Sequence, residues 1–169
     1  MAEPDDLLVR PAREEDLPAA MELFEELDRH QHGWRVFEPR PTRAGEAEAR
    51  YRSGLTTDAD AMLVVAERGG QVVGMAFARV DVLSSISDDR VAELSNVVVR
   101  REARSQGIGR ALVAQVGRWA ASRGAGRVAI RTYSENLEAL AFWEHLGFQP
   151  RYVQMTAQSG DLAACAPDP

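Results

Sequence analysis

The sequence predicts a single α/β domain on a mixed β-sheet, with elements in the order β α α β β β α β α β. Three observations predict it. The apolar period switches repeatedly between the helical 3.6 and the strand value of 2. Glycine and proline fall at the switches. The chain has 169 residues, 45% hydrophobic and 27% charged, values of a soluble globular domain that can bury roughly 70% of its unfolded surface. That composition excludes collagen-like, coiled-coil and low-complexity architectures, and no internal repeat is present. The domain is expected over residues 1–157, with 158–169 as a disordered tail.

Leu7 to Arg10, followed by Pro11, reads as an edge strand. From Asp16 to about Arg29, Leu17, Ala20, Met21, Phe24 and Leu27 form one apolar stripe of a helix, and Pro18 sits harmlessly in its first turn. His30 to Thr42 lacks periodicity and carries Trp34 and Phe37 as aromatic anchors; a loop this long is uncommon unless functional. Arg43 to Leu55 fits a weaker helix. Ala61 to Ala66 and Val72 to Val82 are strands joined by Gly69-Gly70, a hairpin signal. Val91 to Val99 is the next strand, separated from the last by the polar stretch Ser84 to Arg90. Ile108 to Ser122 is a helix stopped by Gly124, Arg127 to Tyr133 a strand, Asn136 to Leu146 a helix stopped by Gly147, and Tyr152 to Ala157 a final strand.

Twenty Lys and Arg against 26 Asp and Glu give a net charge of −6, so the surface should repel nucleic acid and anionic lipid and tolerate a cationic substrate. The lone Cys165 has no partner for a disulfide, the N-terminus is charged where a signal peptide is apolar, and no apolar run approaches ~18 residues. A cytoplasmic protein without nucleic-acid or membrane partners is the expectation.

Chemistry concentrates between residues 97 and 112. A hydrophobic strand (Val97-Val98-Val99) runs through a turn containing Gly107 and Gly109 into a helix start. The first amides of a helix are unpaired and carry about +0.5 of a charge, so such a turn can hold an anion. Arg100, Arg101, Arg104 and Arg110 against Glu102 make residues 100–110 net +3 inside an acidic chain. A nucleotide P-loop would need Lys and Ser or Thr where Arg110 and Ala111 stand, and a dinucleotide fingerprint would need glycine at Leu112. A plain glycine-containing helix start with solvated arginines explains the same residues equally well.

Arg104-x-x-Gly107-x-Gly109 after a hydrophobic strand resembles the R/Q-x-x-G-x-G/A motif of the GNAT acyltransferase superfamily. Leu8-Val9-Arg10-Pro11-Ala12 with Glu15-Asp16 is similar to that family's opening strand and helix entry, and Val72-Val73-Gly74-Met75-Ala76 to its third strand. Asn136-x-x-Ala139 with Phe142-Trp143-Glu144-His145-Leu146-Gly147-Phe148 resembles its closing motif. The resemblance covers roughly residues 7–157. It implies an acetyl-CoA-dependent N-acetyltransferase acting on a primary amine of a small molecule, peptide or protein, with an acyl-CoA-binding sensor as the alternative, and a homodimer.

The resemblance also distributes roles. Backbone amides of Arg104, Ser105, Gln106, Gly107, Ile108, Gly109 and Arg110 would hold the pyrophosphate, and Val97, Val98 and Val99 the thioester and pantetheine. A lysine-like amine is protonated at neutral pH, and removing its proton costs roughly 4 kcal/mol. Glu93 is the candidate base, sharing a face with Ser95, Val97 and Val99 if the strand keeps period two. Asn136 is expected as helix N-cap and cofactor contact. Many relatives carry a tyrosine as general acid where this chain has Trp143, and indole supplies no proton; Trp143 is expected to pack, against cofactor or core, with Tyr133 and Tyr152 as alternative acids. Trp34 and Phe37 would wall the acceptor pocket. His30 and His32 lack a carboxylate or cysteine cluster nearby, so no metal is expected.

Overall fold

The computed structural model describes residues 7–34, 43–55, 60–84 and 87–164. The expected Phe37 contact and Cys165 lie outside the described residues.

The order observed is β1 (Leu7–Pro11), α1 (Leu17–Gln31), α2 (Arg43–Ser53), β2 (Ala61–Arg68), β3 (Gln71–Ser84), β4 (Ser87–Val99), α3 (Ile108–Ser122), β5 (Arg127–Ile130), α4 (Leu137–His145) and a short α5 (Ser159–Ala164), with 3₁₀ turns at Glu14–Asp16, His32–Trp34 and Arg101–Ala103. The mixed α/β expectation holds. The five strands lie in sequence order; β1 to β4 pair antiparallel and β4 with β5 parallel. The chain falls into two compact units, Met1–Asn136 and Leu137–Pro169.

In the first unit both faces of the sheet are covered. Leu17, Ala20, Leu23 and Phe24 of α1 and Ala47 and Tyr51 of α2 bury against Leu63, Val65, Met75, Phe77 and Val98. On the opposite face Val80 and Ala92 pack with Ala120 of α3 and Ala125 beyond it. Six consecutive residues of β2, Ala61 to Ala66, are buried because each face meets a helix layer, which explains an apolar run without alternation.

Three elements differ from expectation by more than two residues. β4 begins at Ser87, not Val91. The polar stretch does not interrupt pairing, because Asp81 and Asp89 of this hairpin are exposed and a solvated ladder needs no apolar side chains. β5 ends at Ile130 rather than Tyr133. Residues 151–158 form no strand; Tyr152, Val153 and Met155 are exposed, and α5 follows at Ser159–Ala164. Alternating apolar residues signal a strand only when a neighbouring strand takes their backbone bonds.

In the second unit, α4 closes in a Schellman motif: Phe148 N–H donates to the Trp143 carbonyl at 3.0 Å and Gly147 N–H to Glu144 at 2.9 Å. Trp143 is buried there, its ring 4.8 Å from Phe142 and 5.3 Å from Phe148. No helix among the described residues is long and apolar enough to cross a membrane.

Candidate functional site: the open end of β4 and the turn into α3

β4 carries a bulge. Met75 pairs with Val98 but Phe77 with Ser95, so two steps on β3 face three on β4. The surplus falls at Asn96, whose φ of 51° is left-handed, a region asparagine tolerates better than most residues. The bulge reverses the alternation. Glu93 and Ser95 pair with Arg79 and Phe77, on the sheet face covered by α1 and α2, whereas Val99 pairs with Gly74, against α3. Val97 follows Val99. The expectation that Glu93 shares a face with Val97 and Val99 is therefore corrected: period two fails where the strand takes in an extra residue.

The same register exposes backbone. Arg100 N–H donates to the Val73 carbonyl at 2.8 Å, so residues 98 and 100 address β3 while Val97 and Val99 turn their amides the other way. On that other side β5 has ended, since its ladder with β4 runs only from Val91–Arg127 to Leu94–Ile130. The parting strands leave the Val97 and Val99 N–H groups without a strand partner among the described residues. Val98 instead buries its side chain in the core, and the structure does not bring it to this open edge.

Beyond Val99 the chain makes the 3₁₀ turn Arg101–Ala103 and enters α3 through Ser105 (φ 60°) and Gly107 (φ 79°), both left-handed. A Cβ placed on Gly107 would meet nothing within 4 Å, so glycine is required there by φ rather than by space. Alternating handedness turns successive N–H groups toward one concavity. The first helical bond is Ala111 N–H to Gly107 at 3.0 Å, so the amides of Ile108, Gly109 and Arg110 precede the hydrogen-bonded ladder. Gln106 is held from behind, accepting from Arg68 and donating to the Glu102 carbonyl at 3.3 Å.

The arginines divide. Arg101 and Arg110 are exposed and make no ion pair among the described residues. Arg100 donates to the Val72 carbonyl (3.2 Å) and Glu22 (2.8 Å), and Arg104 to the Val99 carbonyl (3.0 Å) and Glu26 (3.4 Å). The net +3 read from the sequence is thus largely met by two carboxylates of α1, one helical turn apart. Only long-range folding reveals this, as Glu22 and Glu26 each lie 78 residues from their arginine.

Glu93 accepts from Arg131, at 3.1 Å from Nε, and both side chains are solvated. The Trp34 ring lies edge-on to His30 at 5.1 Å and 6.3 Å from Tyr133, so the 3₁₀ turn after α1 meets the segment after β5. Asn136 lies immediately before α4. Sequence reasoning missed Tyr51, fully buried against Phe24 and Phe77, whose hydroxyl neighbours the Asn96 side chain but has no hydrogen bond of good geometry. Burial pushes its phenol well above the usual range. Among the described residues no group of three His, Cys, Asp or Glu side chains could hold a metal.

Taken together, the parted strands and the left-handed turn give an α/β protein an open edge of β4 beside the unladdered amides at the start of α3. A family model, "Acetyltransferase (GNAT) family", matches residues 10–148, and the chain belongs to that family. An uncharacterized N-acetyltransferase of Methanocaldococcus jannaschii is 33% identical over 89 residues, 53% of this chain. The chain spans less than half the length of the curated relatives it matches, 39% in this case. Solved structures that share the fold include a transcriptional regulator from Bacillus halodurans C-125 (TM-score 0.71, 25% identical, covering 90% of this chain and 99% of that one) and the aminoglycoside N-acetyltransferase AAC(6')-Iy in complex with CoA (TM-score 0.72, 21% identical, 90% and 93%).

Proposed function

We propose that the chain is an N-acetyltransferase that moves an acetyl group from acetyl-CoA to a primary amine by direct attack in a ternary complex. The observation that carries this reading is the turn into α3, where a left-handed Gly107 and the unladdered amides of Ile108 to Arg110 stand beside the exposed Arg101 and Arg110. That set fits a diphosphate: donors, positive helix end and free guanidinium charge, with no side chain at Gly107 to block approach. Family membership and the likeness to a CoA-bound acetyltransferase support it.

In this reading the backbone amides from Arg104 to Arg110 take the diphosphate, and the Val97 and Val99 amides take pantetheine and thioester. The amine nitrogen attacks the thioester carbon, the C–N bond forms, the C–S bond breaks and the CoA thiolate leaves. A strand amide facing the carbonyl oxygen stabilises its developing charge, a contribution of about 3 kcal/mol when such a donor is preorganised. Glu93 lies four residues before Val97, on the order of 10 Å at ~3.3 Å per strand residue once the bulge is taken into account, so it takes the amine proton through water rather than directly. The leaving thiolate, of ordinary pKa ~8.5, is protonated by water, which removes the need for an acid at Trp143.

The acceptor wall is Trp34 with Tyr133, and the acidic surface supports a cationic amine. The single cysteine supports a cytoplasmic setting, and the exposed Tyr152, Val153 and Met155 support a homodimer. A second reading, an acyl-CoA sensor without turnover, is supported by Trp143 and by the likeness to the Bacillus halodurans regulator.

Calorimetry with acetyl-CoA and a panel of amines followed by thiol release test the proposal. Binding with turnover is expected; binding without turnover across the panel favours the sensor, and no binding rejects both. Gly107→Val should weaken acetyl-CoA at least about tenfold while costing about 1–2 kcal/mol of stability through its positive φ. Glu93→Gln should flatten the rise of kcat/KM with pH that a base produces on losing its proton; an unchanged profile removes Glu93 from the mechanism.

A further inference from the structure

We infer that Arg104 is a positioning residue, which ties the open end of β4 to α1 through the Val99 carbonyl and Glu26, rather than a charge spent on the donor's phosphates. The inference deepens the acetyl-CoA reading and rests on it.

An arginine in the turn before a helix N-terminus invites a phosphate assignment, yet its contacts here point backwards. Nε donates to the Val99 carbonyl at 3.0 Å and an Nη to Glu26 at 3.4 Å. In a strand the N–H and C=O of one residue address the same side. For Val99 that is the side where β5 has stopped, so this carbonyl has lost the strand that would have taken it. A guanidinium fills that place, and charge-assisted bonds of this kind are both stronger and more directional than neutral ones. Holding the carbonyl restrains the strand at Val99 in the extended conformation that keeps the same residue's N–H on this side, which faces the thioester path.

The anchor is α1. Leu17, Ala20, Leu23 and Phe24 bury it in the core, and its next polar face carries Glu22 and Glu26. Glu22 repeats the arrangement one turn earlier, holding Arg100, whose Nε takes the Val72 carbonyl at 3.2 Å. Two neighbouring strand ends are thereby tied to one rigid helix, and a group held from a packed element keeps its geometry better than one held by a loop. Arg101 and Arg110, which lack such ties, are left for the phosphates.

The free protein gives the first test. The Arg104 Nε–H proton in an NMR spectrum should exchange measurably more slowly than that of Arg101, and Glu26→Gln should accelerate it; equal exchange for the two arginines overturns the proposal. The second test compares acetyl-CoA with S-acetylpantetheine, which lacks the diphosphate. Lysine has no fork with which to reach both partners, so Arg104→Lys should lower kcat about tenfold with either donor, with KM for acetyl-CoA within about twofold, and Glu26→Gln should act in the same direction. A loss read in KM and confined to acetyl-CoA assigns Arg104 to the diphosphate and overturns the inference. A chain that binds neither thioester sinks the donor reading alone, because the exchange measurement still decides the tie between Arg104, Val99 and Glu26.

Discussion

β2 and β4 are both interior strands of one sheet, and they use their backbones differently. β2 is paired with β1 from Val64 to Arg68 and with β3 along its full length, and its six central-to-leading residues are buried. β4 meets β5 over four residues, 91–94, and then runs on to Val99 with one side open. Where both sides are laddered, every N–H belongs to the fold and its loss is a loss of stability. Where one side is open, the N–H groups are available to a ligand, and their loss should be a loss of function.

Proline, which removes an N–H, separates the two cases. Val64 pairs with Pro11 on one side and Ala76 on the other. Val64→Pro should cost on the order of 3 kcal/mol, from a broken ladder, a dry unpaired carbonyl and steric crowding. Val99→Pro removes an amide that makes no bond to β3, so its unfolding midpoint should move little while kcat falls about 100-fold through the missing donor to the carbonyl oxygen. Denaturant unfolding and steady-state rates read both. Equal destabilisation by the two prolines would show that the Val99 amide is structural and that the contrast between the strands is wrong.

The closed half was the more legible in sequence. Val72 to Val82 and Ala61 to Ala66 declare themselves by composition, and Gly69-Gly70 by turn chemistry, because those signals are local. The turn at Gly107 was legible for the same reason: a glycine pair before an apolar helical stripe is a short-range pattern. What failed was everything that depends on a partner. An unbroken run from Val91 to Val99 gives no sign that β4 absorbs an extra residue; Asn96 is the only hint, as a residue that tolerates positive φ inside a β-branched stretch. Glu22 and Glu26 could be recognised as a pair at helical spacing, but not as the partners of Arg100 and Arg104, because that pairing is decided by how α1 lies on the sheet. Tyr152 to Ala157 shows the converse, a good strand pattern without a neighbour.

Ion pairs repeat the contrast at smaller scale. In the closed half Arg10 bonds Asp16 at 2.7 Å and Glu67 at 2.6 Å, with side-chain exposures of 13% for Arg10 and 6% for Asp16; Asp16 also accepts the Arg13 N–H at 2.7 Å where the chain enters α1. In the open half Arg131 and Glu93 are 82% and 49% exposed, and a pair in water contributes at most about 1 kcal/mol. Asp16→Asn should therefore cost on the order of 2 kcal/mol at neutral pH, since it weakens charge-assisted bonds while Arg10 keeps Glu67, and Arg131→Gln much less. The pH dependence fixes the cause. Burial opposes ionisation of Asp16, but the Arg10 hydrogen bond, the Arg13 amide and the nearby charges outweigh it, so its pKa is lowered on folding. A lowered carboxyl contributes stability that is present above its unfolded value, about 3.9, and is lost as pH falls through the folded value. The gap between wild type and Asp16→Asn, read by urea unfolding, should accordingly narrow in acid as the wild-type carboxylate protonates; a gap that stays constant down to that range means that the amide fails through shape rather than charge.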